Sequence, residues 1–159
     1  FTVYVEISDR IKDLVRVEEP VATLLYHAYA RADKNIIGVE SLKGYRVAYR
    51  RGIDWIDKTA IKQGANEIIP LDSAQSCLQF ILIDRADFYI DTTFIVEPLL
   101  RNEEFKDKSI VKSNKPIAFR NVYTVFHKDY SHYAIDFNNA LKKIKKSEYF
   151  AETMEKAFQ

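Results

Sequence analysis

Cysteine occurs once in this sequence, at Cys77. One cysteine excludes an internal disulfide and a cysteine-based metal site. It falls on the apolar face of a predicted helix, where buried core is its ordinary place. Glycine is scarce, with four residues in the chain, and neither G-x-G-x-x-G nor G-x-x-x-x-G-K-[ST] occurs, so no phosphate-cradling loop is present. No apolar run approaches the ~20 residues that a membrane span needs. Neither sign of charge dominates: 24 Lys and Arg face 23 Asp and Glu, leaving no whole-molecule field to draw the protein to nucleic acid. The basic run at residues 141–146 reads as the solvated face and last turn of a helix, where cations suit the macrodipole. Three histidines, His27, His127 and His132, show no Ser/His/Asp or metal-ligand spacing. No catalytic residue, metal or cofactor is expected, and an enzyme is not the expected reading.

What is present is an apolar content of 47% with 30% charged residues, the balance of a soluble globular chain. Residues 1–7 alternate and are β-branched and aromatic, which predicts a strand. A second short strand falls at 14–17, ended by Glu19 and Pro20, and a long one at 21–30. Residues 31–41 are polar and read as a connection. From there strand and helix alternate: strand 45–50, a helix from Asp54 to Gly64, strand 67–70, a helix opened by Asp72 with Gln75 three residues on, strand 88–90, a helix at 93–101 interrupted or bent near Pro98, and a strand at 109–112. In the second of these helices Ala74, Cys77, Leu78, Ile81 and Leu82 recur as one apolar stripe. A long extended segment at 116–128 follows, then two amphipathic helices. Ala134, Phe137, Leu141 and Ile144 line the first; Phe150, Met154, Ala157 and Phe158 line the second. Such alternation predicts an α/β layer with a mostly parallel sheet, flanked by two extended segments that look like hinge strands.

Several pieces, in this order and spacing, resemble a known family. "SLKGYRVA" at 41–48 resembles the "dLkGkrVgv" segment of the amino-acid-binding proteins of ABC importers, the type II periplasmic solute-binding proteins (family 3 of the bacterial extracellular solute-binding proteins). Gly52 resembles the glycine after that strand. Residues 65–91 resemble the family's strand, helix and "L..GrvDa" segment, and residues 123–150 its return strand and "N.AL..l...G.y" helix. The resemblance implies an α/β fold of the periplasmic-binding-protein-like type II class, two lobes joined by two hinge strands. Residues 1–26 and 121–159 would be a remnant of lobe one, and residues 27–120 an inserted lobe two. No counterpart of the family's opening strands and helices precedes Phe1, and neither Met nor a signal sequence opens the chain. Lobe one is therefore expected to be truncated, or to be completed by a missing N-terminal segment or by a second chain through swapping.

The same resemblance places a candidate ligand site. Arg10 matches an Arg that forks onto a ligand carboxylate, although Ile7, Val3 and Val5 stand where the family offers hydroxyls. Arg51, Gly52, Asp54 and Trp55 form a glycine turn into a helix start, where the family holds the carboxylate. Asp54 most simply caps its own helix. Of Arg50 and Arg51, strand alternation turns one toward the ligand, and Arg51, next to the turn, is the candidate. Trp55 is either a stacking wall or core. Where the family places an Asp for the ligand's ammonium group, Thr92 falls on the position and Asp91 one residue early. A one-residue offset turns a side chain to the other face of a strand. Either a local bulge restores Asp91 or the ammonium partner is gone, which leaves an anionic or aromatic ligand open.

The expected function is a periplasmic receptor that captures a small polar or anionic, amino-acid-like solute for an ABC permease. The other readings are a ligand-sensing domain of a membrane receptor, a degenerate paralogue with a protein partner, and, at greatest distance, a dehydratase-type enzyme.

Overall fold

Strand and helix alternate through the middle of the chain as the periodicity predicts. In the computed structural model, residues 2–4 and 13–158 are described. The chain divides into two compact units, Phe1–Leu24 with Arg120–Gln159, and Leu25–Phe119. It passes from one to the other twice.

In the first unit, strands β1 (Thr2–Tyr4) and β2 (Leu14–Arg16) flank β8 (Ala118–His127), both antiparallel, with Thr2 opposite Val125 and Leu14 opposite His127. Val21, just ahead of β3 (Ala22–Arg31), donates its N–H to the carbonyl of Val122 at 2.7 Å. Helix α4 (His132–Ile144) buries Ala134 and Leu141, and Phe137 packs edge-on against Phe126 with centroids 5.7 Å apart. Ile144, expected on that face, is 44% exposed, because the helix ends there and Lys145 turns back to hold Glu19 at 2.5 Å and the Pro20 carbonyl at 2.9 Å. Thus one lysine of the basic run is a tether, while Lys142 and Lys143 occupy the exposed last turn as expected. Helix α5 (Glu148–Phe158) closes the chain.

The second unit holds the α/β layer. Its strands run β3, β6 (Phe88–Thr92), β4 (Arg46–Arg50), β5 (Glu67–Leu71) across the sheet. β4 is parallel to both β5 and β6, whereas β3 is antiparallel to β6 and to the short β7 (Ile110–Lys112). Helices α1 (Trp55–Lys62), α2 (Ala74–Leu82) and α3 (Thr93–Leu100) make the connections. A 3-10 turn at Val39–Leu42 overlaps the end of the 31–41 segment expected as a plain connection, and it buries Leu42 fully. Here β3 meets the return segment again, through the Ile117 N–H on the Tyr26 carbonyl at 2.7 Å.

The stripe on α2 packs as its spacing predicts: Cys77, Leu78 and Ile81 are fully buried against Tyr29, Ala48, Tyr89, Val96 and Phe105. Each buried Leu or Ile contributes roughly 1.5–3 kcal/mol. α3 is not interrupted at Pro98 but continues to Leu100; in so short a helix the missing N–H removes a single bond. Among the described residues no helix is long and apolar enough to cross a membrane.

Candidate ligand-binding site

In an open α/β sheet ligands bind outside the carboxyl ends of the parallel strands. In the second unit that edge is formed by Arg50 and its turn, Asp91 with Thr92, and Leu71 with Asp72.

The turn after β4 is built around Gly52, whose φ of +92° is a conformation that L side chains rarely adopt. Nothing lies within 4 Å of where a Cβ would stand, so the glycine is required by the backbone and not by crowding. Asp54 follows with φ −61° and ψ −20°, already helical, and its carboxylate makes no capping bond to α1. This corrects the expected cap: a capping side chain reaches back from an extended residue, and Asp54 is not extended. The next helix shows the contrast. Ser73, extended at φ −143° and ψ 156°, accepts from the Ser76 N–H at 3.1 Å, so the cap of α2 is Ser73 and not Asp72. Asp72 instead receives Arg51, Nε to Oδ1 at 2.9 Å, with both side chains mostly in solvent. Trp55 packs edge-on against Tyr26 with centroids 4.8 Å apart.

The arginine that turns inward is therefore Arg50, not Arg51. Ala48 stands opposite Tyr89, so two residues on Arg50 stands beside Asp91 on the same face. Its Nη2 donates to Asp91 Oδ1 at 3.2 Å and its Nε donates to Oδ2. Asp91 is fully buried, and it also accepts the Tyr89 O–H at 2.5 Å and the Thr92 N–H at 2.7 Å. Between β3 and β6 the register runs Tyr26 to Thr92, His27 to Asp91, Ala28 to Ile90 and Tyr29 to Tyr89 without a break. No bulge re-aims Asp91. It shares the α2 side of the sheet with Tyr89, and Thr92, also buried, lies on the opposite face opening α3.

The electrostatics follow. The bonded carboxylate holds the Arg50 guanidinium well above its usual range. Burial, and then Asp91, push the Tyr89 hydroxyl far up, and push the Cys77 thiol to about 12, so Cys77 is an inert core residue. Beside Asp91, His27 is buried with Nδ1 3.0 Å from the Ser113 carbonyl. Ser113 Oγ donates to the Lys115 carbonyl, so the Nδ1 proton belongs to His27 and goes to Ser113. Burial lowers its pKa.

Arg10 lies outside the described residues. Of the other candidates, the fold brings Arg51, Gly52, Asp54 and Trp55 to one turn, and Asp91 and Thr92 to the end of the adjacent strand. Arg50 was missed as an inward group. The signal was there in the spacing: Arg46 and Arg50 stand four apart on one strand, as do Asp87 and Asp91 around the next.

No family model matches the chain. An uncharacterised protein of Shewanella oneidensis is 30% identical over 161 residues, 94% of this chain and 58% of that protein, so the chain spans little more than half the length of the curated relative it matches. Among solved structures, the GluR0 ligand-binding core in complex with L-glutamate superposes with a TM-score of 0.79 at 12% identity, over 96% of this chain and 69% of that one. A histidine kinase sensor domain similar to periplasmic binding proteins gives 0.74 at 16%, over 95% and 65%. The amino acid ABC transporter substrate-binding protein AbpA of Streptococcus pneumoniae, bound to L-arginine, gives 0.71 at 13%, over 96% and 64%. These likenesses establish the fold: the chain is a periplasmic-binding-protein-like α/β structure of type II.

Proposed function

We propose that this chain is the ligand-binding part of a periplasmic solute receptor that takes up a small polar or anionic, amino-acid-like molecule for delivery to an ABC permease. The observation that carries the reading is the end of β4 and β6. There a guanidinium is fixed at the carboxyl ends of parallel strands, beside an open glycine turn, in a fold whose neighbours include an arginine-bound transporter protein. The role is binding without catalysis.

A second reading, the sensing domain of a membrane receptor, draws support from the likeness to the GluR0 core and to the kinase sensor domain. Both readings require a small ligand, and thermal unfolding of the purified protein against a panel of amino acids, carboxylic acids and polyamines tests that shared requirement. A ligand at about 100 times its Kd adds about 2.7 kcal/mol of stability. One chemical class should raise the midpoint by several degrees. A midpoint unmoved by every member of the panel rejects both readings in favour of a paralogue that has lost its ligand. Co-purification with a permease, against a kinase partner, then separates transport from sensing.

A further inference from the structure

We infer that the second unit selects carboxylates that carry no free ammonium group next to the acid. The inference rests on the receptor reading and names the ligand class of the same site. A ligand ammonium needs an acceptor with lone pairs to offer. Asp91, the carboxylate at the end of the strands, offers none: its two oxygens already accept from Arg50 twice, from Tyr89 and from Thr92, and it is fully buried. Nor do the neighbouring acids of this unit supply one. Glu97 of α3 is paired with Lys112, and Asp72 at the end of β5 with Arg51. Asp54 is exposed on the far side of β4, where its charge acts on Tyr49 together with that of Asp57.

Arg50 is the reverse case. Its Nε and Nη2 are fixed by Asp91, with the Tyr89 hydroxyl also beside the guanidinium, while Nη1 donates to no carboxylate among the described residues, and its side chain is 33% exposed. A guanidinium locked through one edge presents its remaining N–H groups in a fixed direction, which suits a carboxylate oxygen. The pair as a whole is neutral, so a zwitterion gains at the acid end and finds no acceptor for its amine at Asp91. The desolvation of that amine then counts against it. This end of the sheet therefore reads anion and rejects the neighbouring cation.

Matched acids test it: propionate against L-alanine, glutarate against L-glutamate and 3-phenylpropionate against L-phenylalanine, by calorimetric titration of the intact protein at pH 7. In at least one pair the acid lacking the amine should bind about tenfold more tightly or better. Equal or tighter binding of the amino acid in every pair overturns the inference and leaves the receptor reading standing. Silence in all three pairs also overturns it, and the wider thermal panel then decides separately whether the receptor reading falls.

Arg50→Gln uncovers Asp91 and should invert the preference toward the amino acid. Because a lone buried carboxylate can prevent folding, the double variant Arg50→Gln, Asp91→Asn keeps a neutral pair of the same shape. Folded by circular dichroism, it should lose affinity for the preferred acid about tenfold. Unchanged affinity in that folded variant removes Arg50 from the site.

Discussion

Arg46 and Arg50 open and close the same strand, and each takes a carboxylate 41 residues further along, Asp87 and Asp91. The two ends of the sheet thus begin from the same chemistry and finish differently. At the Arg46 end the charges form a web. Arg46 Nε and its backbone N–H both reach Asp87 Oδ2, at 3.0 and 2.9 Å, and its Nη2 reaches Asp84 at 3.1 Å. Lys34 takes the other oxygen of Asp87 at 3.1 Å, and Arg31 joins Asp84 to Asp33. At the Arg50 end Arg50 and Asp91 pair only with each other, with no second ion paired to either among the described residues, and the solvated Arg51–Asp72 pair stands apart from them. Between the ends lies an apolar row, Tyr29, Tyr89 and Ala48. A web shares the loss of any member, whereas a lone pair does not. The web suits a clamp on the β3–β4 and α2–β6 connections, and the lone pair leaves a donor over.

The largest expected effect breaks this comparison directly. Asp91→Asn leaves Arg50 part-buried without a counter-ion and should cost about 3 kcal/mol in urea unfolding. Asp87→Asn leaves Arg46 its Asp84 contacts and should cost about 1 kcal/mol. If the two costs are equal, or reversed, the web gives no redundancy and the distinction between the ends is lost.

The alternation of 45 to 112, the stripe on α2 and the two extended crossings were legible because each rests on local periodicity and on residues that only fit certain backbones, such as Gly52 and Gly64. What was not legible depended on partners far away in sequence. Choosing between Arg50 and Arg51 requires knowing which face of β4 meets β6, and that is fixed by Ala48 lying opposite Tyr89. The fate of Asp91 likewise hangs on Arg50, 41 residues before it, although Tyr89, two residues away on the same strand, also holds it. The helix caps failed for a subtler reason. Asp54 and Asp72 are both good capping residues by type, but capping is decided by backbone angle, and the extended conformation belongs to Ser73 in one case and is absent at Asp54 in the other.

A smaller effect separates the two ends by pH. Burial lowers the folded-state pKa of His27 from its ordinary 6.5, with the Ser113 carbonyl opposing. Between that lowered value and about 6.5 the unfolded chain binds more protons than the folded one, so stability falls on acidification through this window, by at most about 1.4 kcal/mol per pH unit. Asp87 is held far below the carboxylate range, first by its bonds to Arg46. Its contribution is complete above the unfolded carboxylate value and is lost as pH drops below about 4. Unfolding midpoints measured from pH 7.5 to 3 should therefore show two slopes. His27→Gln should flatten only the upper one, at the Arg50 end, and Asp87→Asn only the lower, at the Arg46 end. A single variant that flattens both would mean that the two ends titrate as one network.

The smallest effect sharpens the assignment of the inward arginine. Arg51 is 64% exposed and its partner Asp72 is 87% exposed, so their pair exchanges one solvated arrangement for another. Arg51→Ala should leave the urea midpoint where it was and should leave the affinity for the preferred carboxylate unchanged, although Arg51 adjoins Arg50 in sequence. The turn itself does not depend on the guanidinium, because the Arg51 backbone N–H holds the Leu71 carbonyl at 2.8 Å whatever the side chain. An affinity that falls with Arg51→Ala as far as it does with the Arg50 and Asp91 double variant would return the ligand contact to Arg51. Strand alternation would then have been broken at the last residue of β4, where the ladder with β6 has already ended at Tyr49.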